Sequence, residues 1–133
     1  MVTVELSRII INETNDEQVI FLKETDGSRS FPIVIGIFEA AAIDRIIKDR
    51  KTPRPLTHDL IASVVKSLGG KILRSVIDDL RDDTYYAKLV IERDSEEMNV
   101  DARPSDAITL ALQCEAPILV SEKVMDAVCP AES

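Results

Sequence analysis

Phe31-Pro32-Ile33-Val34-Ile35-Gly36-Ile37-Phe38-Glu39-Ala40-Ala41-Ala42-Ile43 changes its period half-way. Phe31 to Ile35 is an apolar run of strand length, with Pro32 near its start, where a missing N–H donor is tolerated. Gly36 breaks it. From Glu39 the spacing is helical: Ala40, Ile43 and Ile47 fall on one face, with Ala42 and Ile46 beside them. A strand that hands over to an amphipathic helix through one glycine fixes the local fold, and the flanking sequence can be read against it.

Upstream, Val2, Val4 and Leu6 alternate with Thr3, Glu5 and Ser7, a half-buried strand that continues through Ile9-Ile10-Ile11. Asn12 to Glu17 is polar turn material. Val19 to Leu22 reads as the returning strand, and Asp26-Gly27 supplies the next turn. Downstream, Pro53 and Pro55 forbid helix, and Thr57 is placed to cap a second one carrying Leu60, Ile61, Val64, Val65 and Leu68. Gly69-Gly70 ends it. Ile72–Leu80, Tyr85–Glu92 and Met98–Ala102 are three more strands, separated by turns at Arg81-Asp82-Asp83 and Asp94-Ser95-Glu96. A helix follows Pro104, Pro117–Val120 is a short strand, and Ser121 caps a last helix.

The order is three strands, two helices, three strands, helix, strand, helix. Two strand-strand-strand-helix units repeat in pattern, not in residues. Such a chain is expected to be α+β, with mixed, mostly antiparallel sheet or sheets and helices packed on one face. Residues 1–129 are read as a single domain and residues 130–133 as a C-terminal tail.

With 133 residues the chain can bury about two thirds of its unfolded surface and needs no staple. Trp is absent and aromatics are 4%, so Ile, Val, Leu and Ala must build the core. Cys114, in an apolar helical stretch, is expected to be a small buried hydrophobe, and Cys129 to be exposed. Neither belongs to a CxxC motif. Met1–Asn12 lacks a leading basic segment and no apolar run reaches spanning length, so the expectation is a cytoplasmic protein without a membrane partner. The charge of −8, from 24 acidic and 16 basic residues, argues against broad duplex binding by phosphate neutralisation. A nuclease with a local basic rim remains compatible with it.

Two stretches carry candidate chemistry. In Arg54-Pro55-Leu56-Thr57-His58-Asp59, proline leads into a helix start whose free N–H groups attract anions, and His58 is the chain's one histidine, a residue type suited to acid–base work near neutral pH. Asp101-Ala102-Arg103-Pro104-Ser105-Asp106 repeats the same logic. Glu39, in a first helical turn, is a third candidate. The plainer alternative is that these residues simply cap helices and complement their dipoles. A lone histidine leaves only carboxylates for a metal, hence magnesium or manganese.

Phe31-Pro32-Ile33-Val34-Ile35-Gly36, Glu39-Ala40, Pro53-Arg54-Pro55-Leu56-Thr57-His58-Asp59-Leu60, Asp101-Ala102-Arg103-Pro104-Ser105-Asp106-Ala107-Ile108 and Ala116-Pro117-Ile118 resemble the bifunctional nuclease domain, over nearly the whole chain. The resemblance implies an α+β fold, a homo-oligomer with a dimer favoured, and hydrolysis of phosphodiester bonds in DNA and RNA. The family's polar positions fall here on Glu39, Arg54, Thr57, His58, Asp59, Asp101, Arg103, Ser105 and Asp106. On that implication, His58, Asp59, Glu39 and Asp106 are the catalytic candidates. Arg54, Thr57, Arg103 and Ser105 are the phosphate-binding ones, and Asp59, Asp101 and Asp106 would ligate a divalent ion. Glu115 stands where the family has glycine before Ala-Pro, a departure that bears on a helix C-cap. The alternative function is a non-catalytic module that binds a small anion or a protein partner. The hydrolase reading requires the two distant Arg-Pro segments to serve a common pocket.

Overall fold

The computed structural model describes residues 1–12 and 14–129; the tail assigned to residues 130–133 lies outside them. Strands β1 (Val2–Ile10), β2 (Gln18–Glu24) and β3 (Ser30–Ile35) lead into helices α1 (Ile37–Ile47) and α2 (Thr57–Ser67). Strands β4 (Lys71–Arg81), β5 (Thr84–Arg93) and β6 (Glu96–Ala102) follow, then α3 (Pro104–Gln113), β7 (Ile118–Val120) and α4 (Glu122–Val128). This is the α+β order expected from the sequence. The two tight hairpins β4–β5 and β5–β6 turn through Asp82-Asp83 and Asp94-Ser95, all four with positive φ, the conformation that matches strand twist in a two-residue loop.

All seven strands form one sheet, in the order β3-β2-β1-β7-β4-β5-β6. Every pairing is antiparallel except β4 with β7. The two three-stranded meanders are therefore joined by β7, which slots between β1 and β4. Pro32 is tolerated because β3 is an edge strand with β2 as its one partner. β6 is the other edge.

The sheet is strongly rolled. Phe31 of β3 and Tyr85 of β5 stand five strand positions apart in the order, about 24 Å in a flat sheet, yet their ring centroids are 6.0 Å apart. Irregular register in β1 between Leu6 and Arg8, and in β4 between Ile72 and Arg74 and between Ile77 and Asp79, supplies the extra twist that bulges bring. The concave side is filled by Ile20, Leu22, Phe31, Ile33, Ile43, Ile77, Ile108, Val120, Val124 and Met125, so α1, α3 and α4 share one core with the sheet. Asp79 ties α4 down, accepting from Lys123 Nζ at 2.8 Å and Arg81 Nε at 2.5 Å.

Three sequence expectations need correction. The α2 N-cap is Leu56, not Thr57. Asp59 does the capping instead, its Oδ2 accepting from the Leu56 N–H at 2.8 Å. Second, no residue of α2 is fully buried. Ile61, Ala62 and Val65 pack against a small satellite core of Ile72, Leu89 and Leu110, while Leu60, Val64 and Leu68 face outward. The apolar stripe is wider than the surface it has to cover. Third, the two cysteines exchange their expected places: Cys114 is exposed, because it is the C-cap of α3, where the chain turns away from the core, and Cys129 is half-buried against the main core. No helix among the described residues is long and apolar enough to cross a membrane.

Candidate active site

The first turns of α1, α2 and α3 meet around an open cleft of about 970 Å³. Each of these helices has an acid at its third position: Glu39, Asp59 and Asp106. Each start also has its own local cause. Gly36 is the N-cap of α1 in an extended conformation that any residue could adopt. Its reason is space: a Cβ there would overlap the Glu39 carboxylate folded over it. Pro104 is the first residue of α3, where its absent N–H costs nothing.

Side chains from all three turns connect. His58 Nε2 lies 2.9 Å from Asp106 Oδ1. Arg103 donates from Nε to Asp106 Oδ2 at 3.1 Å and from Nη2 to Glu39 Oε1 at 3.0 Å. Residues 39, 58, 103 and 106, up to 67 positions apart, thus form one chain of charge-assisted contacts along the cleft wall. Burial alone would raise the Asp106 pKa, but the hydrogen bonds from His58 and Arg103 outweigh it and hold the carboxyl below its ordinary value. Asp106 is therefore ionised at neutral pH. With an anion at that end, Nε2 of His58 is the donor, and Nδ1 has no hydrogen-bond partner among the described residues. Arg103 is 66% exposed at its side chain, and its Nη1 has no hydrogen bond among the described residues.

The other candidates divide. Thr57 and Asp101 line the same cleft. Asp59 does not: its two carboxylate oxygens accept from the Leu56 N–H and from Gln113 Nε2, the latter at 2.5 Å. Arg54 lines a neighbouring depression with Arg50, Lys51, Asp59 and Gln113, and Arg45 borders both hollows. Ser105 is 7% exposed and lies on the far side of Arg103, in a third depression with Gly36, Tyr85 and the acids Asp16, Glu17 and Asp83. The three acids proposed for a metal, Asp59, Asp101 and Asp106, do not gather. Among the described residues no three His, Cys, Asp or Glu side chains stand together as a metal-ligand cluster, and both oxygens of Asp106 are already engaged.

Two residues at the cleft were absent from the sequence reading. Arg45 has no ion-pair partner among the described residues. Phe38 is 85% exposed at the rim. A signal for Phe38 existed: two residues before Ala40, at helical pitch, it points away from the Ala40–Ile43–Ile47 stripe.

The family model described as Bifunctional nuclease domain matches residues 20–131. An uncharacterized protein of Mycobacterium tuberculosis is 40% identical over 117 residues, covering 88% of this chain and 70% of the relative. Bifunctional nuclease 1 of Oryza sativa subsp. japonica is 25% identical over 118 residues, 86% of this chain and 36% of the plant protein. Bifunctional nuclease 1 of Arabidopsis thaliana is 26% identical over 107 residues, 77% of this chain and 33% of that relative. The chain thus spans about a third of the plant proteins it matches.

Proposed function

Because this chain belongs to the bifunctional nuclease domain family, we propose that it hydrolyses phosphodiester bonds in DNA and RNA at the cleft between the starts of α1, α2 and α3. The observation that carries this reading is the His58–Asp106–Arg103–Glu39 chain, which joins an acid–base group to a guanidinium inside one open cleft. Acting on DNA as well as RNA rules out reliance on a ribose 2′-hydroxyl, so water is the nucleophile. Nδ1 of His58 takes a proton from that water as its oxygen bonds to phosphorus. Asp106 holds the resulting imidazolium. The free Nη1 of Arg103 faces the charge that builds on the phosphoryl oxygens. The bond to the leaving oxygen then breaks, and the imidazolium returns the proton to it. Glu39 and Asp106 grip Arg103 from two sides and fix its plane. The carboxylates that were candidates for activating water keep positioning roles here, and Asp59 holds α2 in place.

Cleavage of an end-labelled single-stranded oligonucleotide tests this. H58A should lower the rate by about 100- to 10,000-fold, while D59A should act mainly on stability. Undiminished cleavage by H58A would refute the assignment. Saturable phosphate-dependent thermal stabilisation without any cleavage would favour the alternative, a non-catalytic anion-binding module.

We further propose that a second copy covers the outward stripe Leu60, Val64 and Leu68 of α2, large aliphatics in one row that this chain leaves uncovered. Sedimentation should then give a dimer for wild type and a monomer for V64E. A monomeric wild-type protein at micromolar concentration would refute it.

A further inference from the structure

The five aromatic side chains are three Phe and two Tyr, and four of them have a ring partner. Phe31 and Tyr85 pack together, the Arg8 guanidinium covers Phe21 at 4.3 Å, and that of Arg81 covers Tyr86 at 5.0 Å. Phe38 has no such cover among the described residues. It is 85% exposed, directly before Glu39, at the rim of the cleft that holds His58 and Arg103. The cleft has an apolar part, formed by buried Leu89 and Leu110 with exposed Val100 beside them, and its charged lining sets Arg45 and Arg103 beside Glu39, Asp101 and Asp106.

We propose that Phe38 is the stacking platform for one unpaired nucleobase of the substrate strand, with that base over the apolar part of the cleft and its flanking phosphates on Arg45 and Arg103. The proposal rests on the hydrolase reading and adds a substrate class, single-stranded nucleic acid. A flat π-face next to two guanidinium groups matches a nucleotide in both of its parts: the base stacks, and the phosphate takes Arg45, which has no ion-pair partner among the described residues, and the one nitrogen of Arg103 that Glu39 and Asp106 leave over. Stacking ignores base identity and the sugar, which suits activity on both DNA and RNA. A duplex offers no free base face. A chain of net charge −8 also gains little from long phosphate tracks, so the base contact has to supply much of the selection.

The chain has no tryptophan, so F38W introduces a lone fluorescent reporter at the platform. Titration with a short oligothymidylate should quench the indole emission to saturation. An abasic strand of equal length, or a blunt duplex, should not. F38A should bind and cleave the base-bearing strand about 5- to 150-fold less well, yet treat the abasic strand as wild type does. Equal quenching by the abasic strand, or equal losses by F38A on both strands, would overturn the proposal. So would indole emission that shifts with protein concentration alone, which would place a second copy on Phe38. If no substrate is cut but quenching still follows the base, the hydrolase reading fails and the platform stands.

Discussion

Replacing Glu115 by glycine should stabilise this protein by about 1 kcal/mol. Helix α3 ends at its C-cap, Cys114, and the next residue, Glu115, has φ +55°. The two bonds of a Schellman motif are both made: Ala116 N–H to the Ala111 carbonyl at 2.8 Å, and Glu115 N–H to the Leu112 carbonyl at 3.3 Å. The motif is thus complete with the wrong residue type in its left-handed position. A residue with a Cβ loses about 1–2 kcal/mol there, and glycine gives back about 0.5–1 kcal/mol through the extra freedom of its unfolded chain. The exposed carboxylate also sits at the negative end of α3, which adds about 0.3–1 kcal/mol in favour of removing it. The net gain of about 1 kcal/mol corresponds to about 3–4 °C in Tm for 133 residues. Urea denaturation and calorimetry of wild type, E115G and E115Q separate the parts, since E115Q removes the charge and keeps the backbone cost. Helix α2 provides an internal control. It ends in the same motif with Gly69 at φ +82° and open space around the site of a Cβ, so G69A should lose about what E115G gains. If E115G matches wild type while E115Q gains, or if G69A is neutral, the backbone argument is wrong.

Three further outcomes follow from particular contacts. G36A should displace the Glu39 carboxylate, because the new methyl overlaps it; unfolding free energy should change by less than about 1 kcal/mol, whereas misplacement of Arg103 should slow oligonucleotide cleavage by about 10- to 100-fold. G70A should destabilise by about 1–3 kcal/mol in urea titrations, since its Cβ would stand 3.1 Å from Val65 Cγ1 and 3.2 Å from Ile91 Cγ2, both packed against the satellite core. The hydrogen bonds that Lys123 and Arg81 make to Asp79 hold its carboxyl at about 2, below the ordinary 3.8. A folded pKa below the unfolded one gives stability that is present above about pH 4 and is lost as pH falls toward 2. D79N should therefore flatten the acid limb of the stability profile measured by circular dichroism between those values.

Local patterns made the elements legible. The change of period at Gly36 and the Asp-rich turns at 82–83 and 94–95 mark them in the order observed. What was not legible depends on distance along the chain. Nothing in Ile118–Val120 reveals that three residues would occupy the middle of the sheet, because that follows from the whole α3 crossover. The two Arg-Pro segments looked equivalent, yet Arg103 is the N-cap of α3 and joins the His58 chain. Arg54 precedes the α2 N-cap by two residues and turns to the neighbouring depression. A shift of one residue in the α2 cap likewise separates His58, which faces the cleft, from Asp59, which holds Leu56 and Gln113. Helix spacing turns each residue about 100° from the one before it, enough here to carry Asp59 out of the cleft that Thr57 and His58 line.

The pairing across the two halves bears on why these side chains are present at all. Glu39 and Asp106 hold equivalent third positions in α1 and α3, each helix following its own three-stranded meander. Arg103 bridges them, although its own side chain is two-thirds exposed. Ion pairs this open contribute about 0–1 kcal/mol, too little to matter beside a core that includes Phe31, Ile77, Ile108 and Met125. Capping alone does not explain them either, since neither Glu39 nor Asp106 bonds its own N-cap N–H, as Asp59 does. A guanidinium held in plane by two carboxylates, with one nitrogen left over beside a histidine–aspartate pair, is an arrangement whose stabilising effect on the fold is small, which fits the proposed role at a phosphodiester better than a purely structural one.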